Sequence, residues 1–197
     1  MGPGIDPAGG PPIAEVPPRP TREEIERAEG ATIEDVIAAD LDVLLCGINP
    51  GLYSGATGYH FARPGNRFWR TLHLSGFTDR VLAPHEQKEL LAYGIGITNV
   101  VRRATAGAST LTEEEFRVGG EALRAKVQRY NPRVLAVLGV SAFRIAFDDR
   151  KAKVGPRTGT IGSTRLWVLP NPSGLNAHYQ LPRLIELFSE LRRFLER

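Results

Sequence analysis

The chain of 197 residues has one cysteine, Cys46, so it contains no internal disulfide, no Cys-rich zinc site and no Cys-ligated iron–sulfur cluster. Its four histidines, His60, His73, His85 and His178, are scattered and make no HExxH-like spacing, so no metal is expected. No apolar run approaches the roughly 18–20 residues that cross a bilayer. The N-terminal stretch lacks the basic start and apolar core of a secretory signal. A GxxxxGK[ST] phosphate loop is absent as well. These absences lead us to expect a cytoplasmic protein without membrane contact, metal or cofactor.

Acidic residues are missing locally. Residues 43–78 contain no Asp or Glu but carry Arg63, Arg67 and Arg70. Residues 150–185 again lack acids and carry Arg150, Lys151, Lys153, Arg157, Arg165 and Arg183. Nine positive charges thus sit in two windows, and the remainder carries −6 against an overall +3. If both windows share one side, the molecule has the positive face of a polyanion binder. Ordinary solvated arginines are the competing reading.

Residues 1–20 hold seven of the fifteen prolines and four glycines, too little apolar surface to offset ordering entropy, so a disordered tail is expected there. Residues 21–40 are acidic and helix-prone, broken near Gly30, and are expected to form a helical lead-in. Residues 41–197 read as a single domain of alternating elements. Strand-like runs occupy Val43–Cys46, Ile95–Val101, Arg133–Leu138, Thr158–Ile161 and Arg165–Leu169. Helical patterns cover Asn66–Leu74, Pro84–Tyr93 (with Pro84 suited to a first turn), a segment capped by Thr112 and Glu115 that runs to Tyr130, Ser141–Phe147, and an amphipathic C-terminal segment from Leu181 to Leu195. Strands alternating with helices imply an α/β fold, a three-layer α/β/α arrangement around a short, mostly parallel sheet. Right-handed crossovers then gather the strand carboxyl ends along one edge, where such sheets bind ligands.

Two loops follow strands that would end on that edge. Gly47-Ile48-Asn49-Pro50-Gly51 combines permissive glycines with a stiff proline, holding Asn49 at a strand tip. Its amide cannot act as a general base, but it can orient a water; the plainer reading is an ordinary Asn-Pro turn. Pro170 leads into the second loop, Asn171-Pro172-Ser173-Gly174-Leu175, with Asn176 next. Its amides, hydroxyl and glycine N–H suit phosphate contacts. Leu175 is either an exposed wedge for a base stack or a core residue folded inward. Phe61, among glycines and Arg63, is the better stacking candidate, whereas Phe68 and Trp69 read as core. Asn99 either projects its amide into the crevice or merely ends its strand.

Gly47–Gly51 followed by Phe61-Ala62-Arg63-Pro64-Gly65-Asn66-Arg67-Phe68-Trp69 and Gly76–Arg80 resembles the mismatch-specific uracil/thymine DNA glycosylases. Arg165–Leu169 with Pro170–Leu175 resembles that family's second motif, in the same order, and the likeness covers about residues 41–195. The resemblance implies a metal-free, cofactor-free enzyme that hydrolyses the N-glycosidic bond of a base flipped out of duplex DNA. Asn49 then matches the water-positioning residue and Phe61 the aromatic that stacks on the extruded base. Backbone around Gly47, Ile48, Gly51 and Phe61, with Asn99, forms the base pocket. Asn171, Pro172, Ser173 and Gly174 match the loop that grips the DNA backbone, Leu175 matches the wedge, and Arg63 and Asn176 are further expected DNA contacts. Two departures are present: Arg102-Arg103 stands where some members carry an acid, and Asn176-Ala177-His178 lacks an Arg found in some relatives.

The chemistry fits these residue types. A base must leave the stack before its glycosidic carbon is reachable, and a mispaired base leaves most cheaply. Uracil departs as an anion that fixed N–H groups can stabilise. With no carboxylate between Val43 and Thr78, a modest chemical rate is expected. The expected partner is double-stranded DNA with G·U or similar mispairs, the expected state a monomer, and the expected place the nucleoid. A non-catalytic nucleic-acid-binding module of the same fold is the alternative; an enzyme acting on free nucleotides is weaker, since a wedge would serve it no purpose.

Overall fold

A computed structural model describes residues 16–197; most of the proline-rich tail expected over 1–20 lies outside the described residues. Five strands form one sheet: β1 (Val43–Gly47), β2 (Ile95–Asn99), β3 (Val134–Leu138), β4 (Gly155–Ile161) and β5 (Thr164–Leu169), in the order β2-β1-β3-β5-β4. All neighbours are parallel except β4, which returns antiparallel beside β5. Every residue of β1, β2 and β3 is buried. Continuous apolar runs are what a parallel sheet covered on both faces requires.

Side chains alternate across the sheet, so one strand feeds two cores. Val43 and Leu45 face a core built with α3 (Phe68–Leu74) and α6 (Leu181–Leu195), which contribute Phe68, Leu72, Leu184, Phe188 and Leu191. Leu44 and Cys46 face a second core with α4 (Glu113–Tyr130) and α5 (Val140–Ala146), which contribute Phe116, Leu123, Val127 and Phe143. The Thr112–Glu115 capping box forms as its spacing predicts: Thr112 Oγ1 accepts from the Glu115 N–H at 3.2 Å, and Glu115 Oε2 accepts from the Thr112 N–H at 2.9 Å. Asn131 closes α4 in a left-handed conformation. The segment from Pro84 to Tyr93 is helical, but of the tighter 3₁₀ type.

Two elements escape the sequence pattern. Helix α2 (Leu52–Thr57) has the poor helix sequence LYSGAT, and packing decides it: a Cβ on Gly55 would lie 2.8 Å from the Ala104 methyl. The lead-in is helical only over α1 (Arg22–Arg27). Beyond it the chain becomes an extended strap. Val36 exchanges both backbone hydrogen bonds with Ile97, at 2.9 and 2.7 Å, and Gly30 and Ala31 bond Ala104. The strap covers the open edge of β2, which would otherwise present unpaired amides. Lys126, Asp35 and Thr98 hold it from the side: Thr98 Oγ1 donates to Asp35 at 2.6 Å, and Lys126 pairs with both.

Candidate active site

The carboxyl ends of β1, β2, β3 and β5 share one edge, and both loops emerge there. Hydrogen bonding beyond β1 laces the Gly47–Gly51 turn to the 100–105 segment. Val100 N–H reaches Gly47 O at 2.9 Å, Val101 N–H reaches Ile48 O at 2.9 Å, and Thr105 N–H reaches Pro50 O at 3.1 Å. The turn is therefore an extension of the sheet rather than a free loop. It borders a cavity of about 160 Å³ walled by Ile48, Asn49, His60, Phe61, Asn99 and Thr105, among others, and none of the lining residues is an Asp or Glu.

Asn49 is half-buried on this wall. All its hydrogen bonds run from Nδ2: to Pro50 O at 3.1 Å, to Arg103 O at 3.1 Å and to Thr105 Oγ1 at 2.8 Å. Two of these partners are carbonyls, which only accept, and the Thr105 hydroxyl spends its proton on Gly107 O at 3.0 Å. Three acceptors fix the nitrogen, so the amide cannot flip, and Oδ1 is left as an acceptor for a donor in the cavity.

Asn99 sits opposite. It is the register partner of Gly47 across the β1–β2 ladder and is buried. A Cβ on Gly47 would lie 2.4 Å from Asn99 Oδ1 and 3.1 Å from Phe61 Cζ, so only glycine allows that side chain and that ring to close on the strand end. His60 orients the amide. Its Nε2 faces the Glu34 carbonyl at 2.9 Å and must carry the proton, which leaves Nδ1 to accept from Asn99 Nδ2 at 3.4 Å. Burial pushes the His60 pKa below its ordinary value, keeping the ring neutral. Asn99 Oδ1 remains for a cavity donor.

Phe61 stacks on Phe68 with centroids 4.0 Å apart and planes 19° from parallel. Its backbone adopts φ +52°, costly for a bulky residue, and the lining position of its ring shows what that turn achieves. Phe68 and Trp69 are core residues, as their helical position predicts.

In the second loop, Leu175 stands 75% exposed, the outward alternative of its two readings. The other residues mostly build the loop. Asn171 Oδ1 accepts from Ser173 N–H at 3.0 Å, while Asn176 Nδ2 donates to Asn171 O at 3.0 Å and its Oδ1 accepts from His178 N–H at 3.2 Å. Pro172 is buried and Ser173 is half-buried. Gly174 lies against the first loop, where a Cβ would meet Gly65 O at 2.6 Å. Arg63 is exposed beside the cavity, and Gly51 opens its rim.

The two acid-free windows do not form one uniform face. Arg165 lies at the start of β5, away from the cleft edge, with its guanidinium over the Phe194 ring at 5.2 Å. Arg157 pairs with Asp149 at 2.6 Å and Arg183 with Glu186 at 2.6 Å, partners just outside the second window. Arg103 is likewise spent: it grips Glu115 through two nitrogens, at 2.5 and 3.1 Å, and holds that carboxyl at a pKa of about 2. Its carbonyl, not its charge, serves the cavity by anchoring Asn49. Sequence reasoning missed His60, Thr105 and the strap carbonyl of Glu34. Each acts through a contact with residues more than twenty positions away, and no local motif signals that.

The family model of the uracil DNA glycosylase superfamily matches residues 34–196. A protein of Methanosarcina acetivorans solved in solution, described as a candidate uracil DNA glycosylase, superimposes with a TM-score of 0.59 at 20% identity, over 85% of this chain and 99% of that one. At that identity the likeness is one of fold. The family match takes in the sheet, the Asn49 turn, the cavity and the Leu175 loop, and the chain belongs to the uracil DNA glycosylase superfamily.

Proposed function

We propose that this protein is a monofunctional, mismatch-directed DNA glycosylase that hydrolyses the N-glycosidic bond of uracil flipped from duplex DNA and leaves an abasic site. Thymine and small adducted pyrimidines are further candidates for the same pocket. The observation that carries the reading is the fixed amide of Asn49, whose nitrogen is held by three acceptors while its oxygen is left for the cavity. A water donating to that oxygen is held with a lone pair toward the anomeric carbon. Phe61 stacks on the everted base, and Asn99 Oδ1 accepts its imide N–H. The base leaves as an anion, stabilised by backbone N–H groups around Ile48 and Phe61. The water oxygen then bonds to the cation-like sugar carbon and gives its proton to solvent. The lining residues supply no carboxylate to activate that water or to offset the sugar cation, so the rate is modest and selection leans on the weakness of mispairs. Leu175 fills the gap the base leaves, and Arg63 with the 171–176 loop meets the DNA backbone. Nothing in this scheme needs a second copy of the chain, and we read it as acting as a monomer.

Labelled duplexes containing G·U, G·T or A·U, treated with hot alkali after incubation, test the proposal. Strand breakage at G·U above A·U supports it. Tight binding without breakage at any of them overturns it in favour of a binding module.

A further inference from the structure

Arg67 lies in the first motif and in the first acid-free window, where an arginine is expected to meet phosphate. Its position says otherwise. The side chain is half-buried and meets no carboxylate among the described residues. It reaches more than a hundred positions along the chain into the second loop. Nε donates to Pro172 O at 3.4 Å, and one terminal nitrogen donates to Asn176 O at 2.9 Å and also to Ser173 O. The other terminal nitrogen meets Gln180 Oε1 at 3.4 Å, and the Arg67 backbone N–H bonds Pro172 O at 3.2 Å. Three backbone carbonyls that bracket Leu175 thus converge on one guanidinium, while Gly65 and Gly174 bring the two loops into backbone contact.

We infer that Arg67 is a positioning residue that clamps the 172–176 loop and holds Leu175 outward, so that the wedge is ordered before DNA arrives. The inference rests on the glycosylase reading for what Leu175 does. An exposed leucine on an unclamped five-residue loop would order only on binding, at a cost in affinity for each side chain and backbone unit fixed. The guanidinium spreads its donors over three separated nitrogens and so spans all of these carbonyls, whereas the three donors of a lysine ammonium share one nitrogen and cannot reach them all. A phosphate contact would tolerate that exchange far better.

The test uses binding, so it does not depend on catalysis. The probe is a duplex with a tetrahydrofuran abasic site, compared with the same labelled strand alone, for wild type, Arg67→Lys, Leu175→Ala and the double variant. The clamp predicts that Arg67→Lys loses about 10-fold in affinity for the abasic duplex and less than threefold for the single strand, the latter showing that the fold persists. Its slope of log affinity against log salt stays that of the wild type. In the Leu175→Ala background, Arg67→Lys costs less than twofold more, because the clamp acts only through the wedge. Additive losses, equal losses on both probes, or an abasic-duplex affinity within threefold of wild type, which a phosphate contact that accepts either cation would give, each overturn the inference. Wild type that prefers the abasic duplex yet excises no base would instead overturn the glycosylase reading and leave the clamp standing.

Discussion

Replacing Asn49 by aspartate tests the geometry of the amide. The two side chains are nearly isosteric, but the exchange puts an oxygen where Nδ2 now serves Pro50 O, Arg103 O and Thr105 Oγ1 at 3.1, 3.1 and 2.8 Å. Ionised, that oxygen faces two carbonyls it repels; only the neutral acid can donate, and then to one of them. At least two hydrogen bonds are lost, each about 1 kcal/mol, and the partly buried carbonyls left unpaired add about 1–2 kcal/mol. A destabilisation of about 3 kcal/mol lowers the melting temperature of a chain this size by about 6–12 °C. Asn49→Ala loses the same bonds and leaves the same carbonyls unpaired, so by the same terms it also costs about 3 kcal/mol, without the repulsion that the ionised aspartate adds. The aspartate's pKa is raised in the folded state, so its native form binds a proton the unfolded chain gives up. Its stability deficit therefore widens as pH rises through that pKa, whereas the alanine deficit does not change with pH. Thermal melts of the three proteins at pH 5 and pH 8 show this. An aspartate variant as stable as wild type at pH 8, or one whose excision rate exceeds wild type there, would refute the account of how the amide is held.

Three further perturbations probe the cavity and the wedge. Gly47→Ala puts a Cβ 2.4 Å from Asn99 Oδ1 and 3.1 Å from Phe61 Cζ, so uracil release falls at least about 100-fold; retention of a tenth of the activity would show that neither group is needed in place. Leu175→Ala leaves the melting temperature unchanged, because the side chain is 75% exposed, yet weakens excision from duplex more than from single strands. For His60, burial lowers the folded pKa below that of the unfolded chain, so its contribution to stability is complete above about pH 6.5 and is lost as pH falls toward the folded value. The slope is at most about 1.4 kcal/mol per pH unit; denaturant melts between pH 5 and 7 should show a steeper acid loss in wild type than in His60→Gln, and identical slopes would contradict a buried neutral ring.

Legibility followed the range of the interactions. The apolar runs of β1, β3 and β5, the Thr112–Glu115 cap and the amphipathic stripe of α6 are written in neighbouring residues, and each forms where the pattern puts it. The convergence of the Asn49 turn and the Leu175 loop also follows from the sequence, because parallel strands end on a common edge. The strap over β2 does not, since Thr32 and Val36 pair through backbone groups that any residue carries. Charge was the least readable property. Arg67, Arg103 and Arg165 look alike as letters in the sequence, yet one ties two loops together, one neutralises Glu115 and one covers Phe194. Where a guanidinium ends up depends on what the fold brings within reach of its long stem.

The central claim is that the Asn49 amide oxygen directs the attacking water. Single-turnover excision of uracil from a G·U duplex by Asn49→Ala tests it most directly, with affinity measured in parallel on the same duplex carrying a non-hydrolysable 2′-fluorinated uridine. The account predicts a rate lower by about 100- to 1,000-fold with affinity within threefold of wild type. A rate within tenfold of wild type at equal affinity would contradict it.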